Sequence, residues 1–367
     1  MKLTTALIKI ISCSALVLAT IGTSSSTSSA ATGLHFKDQR SCNIPRVGHV
    51  ACLAIQRASY RNGIRQHALT PDSGTSFGAH ALRRAYGITT VGARYKVIAI
   101  VDAMHSATAL EDVNGYRQMY SLPELADCSA DAQPEQKLPS GTDPCFVQLT
   151  QAGTVTKDAE TSDQGWAQEI ALDIEMASAV CPHCSVLLVE AQSTSFTDLK
   201  KAVATAAAFK GVVAISNSYG GKDVMESPDS PYAAAAAKGI AVVASSGDSG
   251  YGVSAPASFA SVIGVGGTTL STNADFSWKS ETAWARGGSG CSILNPKSAW
   301  QDSAVTGCVG KSVVDVAAVA DPDTGVSIYF DGQWYSFGGT SAAAPVIAGM
   351  FAMKANFGDS AGQYLWA

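Results

Sequence analysis

Runs of apolar, β-branched residues recur along the chain and are separated by segments with a helical pattern. The first run, Val97–Val101, is continuous and ends in Asp102, which is typical of a strand buried on both faces. Further strands are predicted at Ser185–Glu190, Val212–Ser216, Ile240–Ala244 and Val262–Val265. Helices are predicted over Ala109–Tyr120, Gln164–Ala179, Thr197–Phe209 and Pro231–Lys238. This alternation predicts an α/β fold with a mostly parallel sheet, right-handed crossovers and helices on both faces.

The segments that flank this pattern differ from it in character. Residues 31–90 are polar and contain many turn residues, so we interpret them as an irregular N-terminal extension or short prosegment before a main domain, residues 91–367. Near the C-terminus, apolar residues alternate over Asp321–Phe337, which predicts a hairpin. The hairpin leads into Gly338-Gly339-Thr340-Ser341, and the helix-forming run Ala342–Met353 follows. Ser341 is therefore expected near a helix N-terminus.

The N-terminal residues have the pattern of a signal peptide over residues 1–30. Lys2 and Lys9 precede the apolar run Ile10–Ile21, and a Ser/Thr-rich tract then ends in small residues at Ala30. The apolar run is too short to span a bilayer as a helix. A lipoprotein signal acylated at Cys13 is the alternative, but most of the apolar run follows that cysteine instead of preceding it.

Composition and charge narrow the class of protein. Of the 367 residues, 46% are hydrophobic and 15% are charged, which is enough for one large core or two smaller ones. The net charge of −5 and the absence of a Lys/Arg cluster argue against nucleic acid or an anionic membrane as partner. We expect a secreted, monomeric hydrolase.

The cysteines that remain after Cys13 number eight, and an even number in an exported chain indicates disulfides. Neighbours in sequence are plausible pairs, although other connectivities stay open. These pairs are Cys42–Cys52, Cys128–Cys145, Cys181–Cys184 and Cys291–Cys308.

Ser341 has two interpretations. A Gly-Thr-Ser sequence before alanines can be an ordinary N-cap. Alternatively, Ser341 is a nucleophile whose developing negative charge is stabilised by the helix dipole and by free backbone N–H groups. The second interpretation requires a base and an oxyanion donor elsewhere in the chain.

The segment Trp166–Met176 supplies candidates for the base. Glu169 and Asp173 are four residues apart on a predicted helix, so both carboxylates project from one face, opposite a core-facing side. A solvated acidic face is the alternative, but no Lys or Arg lies nearby to offset the repulsion. Two adjacent carboxylates do not both ionise easily, so one is expected to keep its proton, which suits catalysis in acid.

Asp248 is the candidate oxyanion donor. It follows the predicted strand Ile240–Ala244 within Ser246-Gly247-Asp248, where an aspartate is often a turn former. A protonated Asp248 could instead donate a hydrogen bond to the oxyanion that forms when Ser341 attacks a carbonyl group.

These motifs together resemble the sedolisin family of serine-carboxyl peptidases, which are relatives of subtilisin. The resemblance rests on Glu169-x-x-x-Asp173, on Ser-Gly-Asp248 after a strand and on Gly-Thr-Ser341-Ala-Ala-Ala-Pro345, in that order. It implies a subtilisin-like three-layer αβα fold and an acid-acting endopeptidase. In that family Ser341 would be the nucleophile, Glu169 its general base and acid, Asp173 the partner of Glu169, and Asp248 the oxyanion donor.

The resemblance also carries expectations about ligands. Ser218, Tyr219 and Gly220 match the family's substrate-lining segment, where an extended protein or peptide substrate would pair with backbone groups. The family usually binds one Ca²⁺ after the serine helix. That ligand motif is not found in this chain, and Asp321-Pro322-Asp323 is interpreted as a turn, so no metal or cofactor is predicted.

Three alternatives remain open from the sequence. The first is a subtilisin-type triad that uses Asp102, at the end of the first core strand, and a histidine such as His105. The second is a thiol–disulfide protein that uses Cys181 and Cys184, although this pair follows a helix instead of opening one. The third is a secreted homologue without activity.

Overall fold

The computed structural model describes residues 34–66, 71–72, 76–91, 95–132, 144–156, 160–354 and 360–366. The predicted signal peptide and Cys13 lie outside these residues. Residues Leu34–Ala367 form one compact unit. Within the described ranges, no helix is long and apolar enough to cross a membrane.

The strands are numbered in chain order. They are β1 Leu34–Arg40, β2 Ala51–Cys52, β3 Ile55–Arg61, β4 Ile64–Gln66, β5 Ser76–Phe77, β6 Val97–Ala103, β7 Ala126–Asp127, β8 Cys145–Thr150, β9 Ser185–Ala191, β10 Val212–Asn217, β11 Tyr219–Lys222, β12 Ala241–Ser245, β13 Ser254–Ala255, β14 Ile263–Thr272, β15 Trp278–Ala283, β16 Gly290–Pro296, β17 Gly310–Val313, β18 Val316–Val319, β19 Gly325–Phe330 and β20 Gln333–Gly338.

The helices follow the same numbering. They are α1 Ala79–Ala85, α2 Ala109–Met119, α3 Gln164–Val180, α4 Phe196–Ala208, α5 Pro231–Ala237, α6 Ser303–Thr306, α7 Thr340–Met353 and α8 Ala361–Trp366. Short 3₁₀ turns occupy Ser129–Asp131 and Pro322–Thr324.

The central sheet has the strand order β15-β14-β12-β10-β6-β9-β8-β7, with β18 also paired to β14. The pairings from β7 to β14 are parallel, and the edge strand β15 is antiparallel. Alternate residues of β6 enter two hydrophobic clusters: Ile98 and Ile100 face one, and Val97, Ala99 and Val101 face the other. The first cluster includes α3 and α7, and the second includes α4 and α5. The predicted α/β fold with a sheet covered on both sides is confirmed.

The N-terminal extension is not irregular, and that part of the sequence prediction is wrong. Strands β1 and β3 pair antiparallel over their whole length, and β3 then pairs with β20 of the predicted hairpin. Charged residues interrupt the apolar alternation of β3, and its partner β20 lies far away in sequence, so local pattern does not reveal this strand. The extension therefore enters the sheet that delivers Ser341.

The structure contains all four disulfides that sequence proximity suggested: Cys42–Cys52, Cys128–Cys145, Cys181–Cys184 and Cys291–Cys308. Each closes a short loop within one region of the chain. Cys42–Cys52 closes the loop that precedes β3.

Candidate active site

Ser341 lies in the first turn of α7, directly after strand β20. Gly339 caps this helix with φ of 93°, in the left-handed region that favours glycine. A Cβ atom at Gly339 would lie 1.9 Å from the carbonyl oxygen of Leu53, so a side chain there would displace that carbonyl. The predicted helix start at Ser341 is confirmed, and glycine is required there because another backbone approaches closely.

Pro345 changes the hydrogen bonding of this turn. Proline has no N–H group, so the Ser341 carbonyl four residues earlier lacks its usual helical donor. The Ser218 hydroxyl donates to that carbonyl at 3.5 Å. The Ser341 carbonyl that Pro345 leaves without a helical donor is therefore bonded to Ser218, directly after β10.

The Ser341 hydroxyl is fully buried and makes two hydrogen bonds. It donates to the Ser218 carbonyl oxygen at 3.1 Å and accepts from the Leu53 backbone N–H at 3.1 Å. Leu53 belongs to the N-terminal extension, 288 residues away in the chain.

Helix α3 carries Glu169 and Asp173 into the same region. The helix begins at Asp163, whose carboxylate accepts from the Trp166 N–H at 3.0 Å. Nearly all its later residues are buried, so α3 lies inside the protein and does not have the single core-facing side that the sequence suggested. Glu169 Oε2 accepts from the Ala54 backbone N–H at 2.8 Å. Ser341 and Glu169 therefore contact the N–H groups of two consecutive residues, Leu53 and Ala54.

A third buried carboxyl joins this pair. Asp102, near the carboxyl end of β6, has an exposed fraction of 0%, as do Glu169 and Asp173. We call these three residues the acid centre. Neither oxygen of Asp102 or Asp173 has a hydrogen-bond partner within the described part of the chain, and the same holds for Glu169 Oε1.

Burial without a cationic partner raises the pKa of each carboxyl of the acid centre. For Glu169 and Asp173, burial is the largest cause and the Asp102 charge the second, and both pKa values lie well above their usual range. The Ser341 hydroxyl and the Ala54 amide oppose part of the rise in the pKa of Glu169. Burial and then the Glu190 charge raise the pKa of Asp102 to about 8. The acid centre therefore holds protons to higher pH than free carboxyls do.

Asp248 follows β12 and faces the start of α7. Its Oδ1 accepts from the Thr340 N–H at 2.8 Å and from the Thr340 hydroxyl at 2.9 Å. Its Oδ2 is buried without a hydrogen-bond partner among the described residues. Burial raises the pKa of Asp248 to about 6, against the two Thr340 hydrogen bonds and the Arg40 charge. Below that pH a protonated Oδ2 is available as a donor.

The predicted substrate-lining segment already has a strand beside it. Tyr219 and Gly220 in β11 pair antiparallel with Cys52 and Ala51 in β2. On its other edge β11 pairs with β13. Ser218 contacts Ser341, and an extended segment of the same chain lies along Tyr219 and Gly220.

The alternative sites considered from the sequence were a subtilisin-type triad with His105 and a thiol pair, Cys181 and Cys184. His105 Nδ1 lies 2.7 Å from Glu190 Oε2, while Asp102 belongs to the acid centre. Cys181 and Cys184 are fully buried as a disulfide between α3 and β9. A buried pair lacks the access that thiol exchange requires.

The described ranges contain no group of three or more His, Cys, Asp or Glu side chains that could hold a metal ion. Asp321 caps the 3₁₀ turn Pro322–Thr324 and accepts from the Thr269 hydroxyl, as a turn residue does. Among the described residues, Asp321 and Asp323 therefore belong to a turn and not to such a group.

The sequence interpretation missed three features of this site. Thr340 anchors Asp248 through its N–H and hydroxyl, Arg40 donates to the Asp248 carbonyl oxygen at 3.2 Å, and residues 53 and 54 contact Ser341 and Glu169. The apolar run Val50–Ile55 inside an otherwise polar extension was a signal for the last of these. Nothing in local sequence indicated the first two.

Known proteins match this chain in sequence and in fold. Residues 149–363 match the subtilase family, Peptidase S8. Kumamolisin from Bacillus sp. (strain MN-32) is 34% identical over 242 residues, which cover 56% of this chain and 43% of kumamolisin. Sedolisin from Pseudomonas sp. (strain 101) is 37% identical over 153 residues, which cover 35% of this chain and 26% of sedolisin. The chain thus spans less than half the length of these relatives.

A solved structure supports the fold. Pseudomonas sedolisin, complexed with two molecules of pseudo-iodotyrostatin, superposes with a TM-score of 0.62 at 24% identity. The match covers 77% of this chain and 80% of that one. The fold is therefore subtilisin-like, and the chain belongs to the subtilase family as a member of the sedolisins.

Proposed function

We propose that this chain is a secreted, acid-acting serine-carboxyl endopeptidase that hydrolyses protein or peptide substrates. The observation that carries the proposal is that Ser341 Oγ and Glu169 Oε2 contact the N–H groups of two consecutive residues, at 3.1 Å and 2.8 Å. Both side chains contact the same short stretch of backbone, and peptide hydrolysis needs a nucleophile and a base within reach of one peptide bond. The relatives and the subtilase match support the same reaction class.

Each group has a defined task. Ser341 attacks the substrate carbonyl while Glu169 takes its proton, and Glu169 then passes that proton to the leaving nitrogen. Asp173, one helical turn from Glu169 and without a cation beside it, keeps the shared proton available to Glu169. Asp248, protonated at Oδ2, donates to the oxyanion.

The experiment is hydrolysis of a denatured protein between pH 3 and pH 8 by the wild-type chain and by Ser341→Ala. We expect cleavage in acid that declines as pH rises through about 6, where Asp248 loses its proton, and no cleavage by Ser341→Ala. A histidine base would give the opposite pH dependence, because activity would be lost below its pKa of about 6.5. Activity confined to pH above 7, or unchanged in Ser341→Ala, would contradict the proposal.

A further inference from the structure

Thr340, the first residue of α7, contacts Asp248 and directly precedes Ser341. It has an exposed fraction of 0%. Its hydroxyl makes two hydrogen bonds, one with the Gly247 N–H at 3.1 Å and one with Asp248 Oδ1 at 2.9 Å. A threonine at a helix start is ordinary in sequence, so these contacts are what distinguishes it.

The directions of these hydrogen bonds follow from the number of protons available. The Gly247 N–H can only donate, so the Thr340 hydroxyl oxygen accepts from it. The single hydroxyl proton is then left for Asp248 Oδ1, and the Thr340 backbone N–H donates to the same oxygen at 2.8 Å. Oδ1 therefore faces two donors and acts as an acceptor. When Asp248 is neutral, its proton is placed on Oδ2.

The second oxygen, Oδ2, has surroundings of the opposite kind. It is buried and has no hydrogen-bond partner in the described ranges. A Cβ atom placed on Gly339, the residue that caps the helix of Ser341, would lie 3.0 Å from Oδ2. Of the two oxygens of Asp248, Oδ2 is therefore the one whose proton can be donated to a reacting group.

Two arginines and one carboxyl on other elements also face Asp248. Burial raises the pKa of Asp248, and the charges of Arg40, in β1, and Arg286, after β15, oppose that rise. The pKa of Glu169, on α3, is raised first by burial, and the Asp248 charge is a further cause. Arg40 donates to the main-chain carbonyl oxygen of Asp248 at 3.2 Å. Among the described residues, Thr340 is thus the contact that distinguishes the two carboxyl oxygens.

We infer that Thr340 is a positioning residue of the active site, which holds the Asp248 carboxyl group so that the proton on Oδ2 faces the reacting carbonyl group of a substrate. The inference rests on the proposed function for the reaction that it serves. It adds to that function the residue that decides which oxygen of Asp248 donates. Thr340 acts through Asp248 and not on the substrate.

Removal of the hydroxyl group should change Asp248 in a measurable way. Thr340→Val keeps the branched shape and the backbone N–H, but Asp248 Oδ1 loses its hydroxyl donor. Burial raises the pKa of Asp248 to about 6 against this donor, so loss of the donor should raise the pKa further. The Gly247 N–H also loses its acceptor, which lowers stability at every pH.

The test uses the full chain as wild type, Thr340→Val, Thr340→Ser and Ser245→Ala. Thr340→Ser is the conservative variant, because it keeps the hydroxyl. Ser245→Ala is the matched control: Ser245 is equally buried, and its hydroxyl donates to the Thr340 carbonyl oxygen at 2.9 Å. This control loosens the same residue without removing a donor from Asp248. Hydrolysis of a denatured protein gives kcat between pH 4 and pH 8.

We expect the decline of kcat with pH to move upward by about half a pH unit or more in Thr340→Val. Its kcat at pH 4 should be lower by roughly fivefold, the effect of one ordinary hydrogen bond. Thr340→Ser and Ser245→Ala should decline at the pH of the wild type. A residue that only supported the fold would lower kcat without moving this pH. If Thr340→Val does not fold, Thr340→Ala removes the same donor and replaces it.

Urea unfolding reports on Asp248 without any activity. The folded-state pKa of Asp248 is about 6, above its ordinary value of 3.8. The stability that its neutral form contributes is therefore complete below about pH 4 and is lost as pH rises through about 6. Thr340→Val should lose more free energy of unfolding between pH 4 and pH 8 than the wild type does. This excess loss should vanish when Asp248→Asn is added, because asparagine does not titrate.

Two results in the kcat profiles would overturn the inference. The decline could stay at the wild-type pH in Thr340→Val, or it could move as far in Ser245→Ala; the proposed function would then stand without a role for Thr340. If the wild type hydrolyses no protein at any pH, the proposed function fails and urea unfolding decides the inference. An excess loss in Thr340→Val supports the placement of the Asp248 proton by Thr340, and equal losses overturn it.

Discussion

The acid centre and Asp315 are both buried, but their surroundings are opposite. In the acid centre, Asp102 and Asp173 have no hydrogen-bond partner in the described part of the chain. The Asp315 side chain is buried as completely, yet its oxygens accept five hydrogen bonds from side chains and backbone, including one from Lys311 Nζ at 2.6 Å. The other donors are Trp300 Nε1, Gln301 Nε2, Trp366 Nε1 and the Gly264 N–H.

The difference is between a buried carboxyl whose oxygens all have partners and buried carboxyls that lack a cation. Asp315 has Lys311 beside it and donors to both oxygens, so neither oxygen is left without a partner. The carboxyls of the acid centre lack a cation and most of these donors, so burial makes their charged forms costly and raises their pKa values. Burial with few compensating partners raises a pKa but does not by itself identify a catalytic acid, because Glu175 is equally buried and also has an oxygen without a partner among the described residues.

The largest expected effect is on activity, from Glu169→Gln. Removing the proton carrier should lower kcat by about 10²- to 10⁴-fold, because general acid–base transfer contributes that much. Glutamine keeps an acceptor for the Ala54 N–H, so the free energy of unfolding at pH 7 should not fall.

Glu175→Gln is the matched control for that variant, measured by hydrolysis of a denatured protein at pH 4. Glu175 is on the same helix and is equally buried, but it accepts from the Tyr329 N–H at 2.9 Å, away from Ser341. Equal losses of activity in both variants would show that Glu169 acts through the helix and not through its proton.

Asp315→Asn should have the reverse effect, which is a loss of stability. It leaves Lys311 buried without a counter-charge, and breaking a buried pair in this way costs about 3–5 kcal/mol of unfolding free energy. Urea unfolding measures the loss, and Asp275→Asn, in an exposed ion pair with Arg84, should change the midpoint little. An Asp315→Asn protein as stable as the wild type would show that the partners of Asp315 do not contribute to the free energy of unfolding.

Asp248→Asn should keep most of the activity in acid and change the pH profile, because an amide can still donate to the oxyanion. An amide donates at every pH, so the decline of activity through about pH 6 should disappear in the variant. The profile of kcat between pH 4 and pH 8 tests this. If the decline persists in Asp248→Asn, it must come from another group, and a carboxyl of the acid centre would then be assigned to it.

The smallest effect is expected from Asp102→Asn, and it concerns stability. The pKa of Asp102 in the folded state is raised to about 8, above its ordinary value of 3.8, so the fold favours the neutral form. The stability that this neutral form contributes is complete below about pH 4 and is lost as pH rises toward 8. Asparagine does not titrate, so the variant should lose less stability between pH 5 and pH 8, by at least about 1 kcal/mol. Urea unfolding measures this at both pH values. Equal losses of unfolding free energy in the wild type and in Asp102→Asn would contradict the prediction.

Local pattern predicted much of the fold. The strands around Val97–Val101, the four helices and the hairpin before Ser341 are all present, because burial on both faces and helical periodicity are properties of short segments. Order along the chain was enough to link Ser341, Glu169, Asp173 and Asp248 to one family. Their convergence at the carboxyl ends of parallel strands follows from the fold.

Other features depended on tertiary placement. The contact between Leu53 and Ser341 spans 288 residues, and no local rule sets the register of β2 on β11. Asp102 was considered only as a triad member, because its neighbours on α3 are adjacent in space and not in sequence. The number of donors around each buried carboxyl likewise appears only when the chain is folded.

The Cys42–Cys52 disulfide ends one residue before Leu53, whose backbone N–H contacts the Ser341 hydroxyl. The other six described cysteines pair among themselves, so no described disulfide joins residues 34–53 to the rest of the chain. A cross-link that closes a loop of this length restricts the unfolded chain and stabilises the folded one by roughly 2–4 kcal/mol. The redox state of the medium would therefore set how firmly this part of the backbone is held beside Ser341.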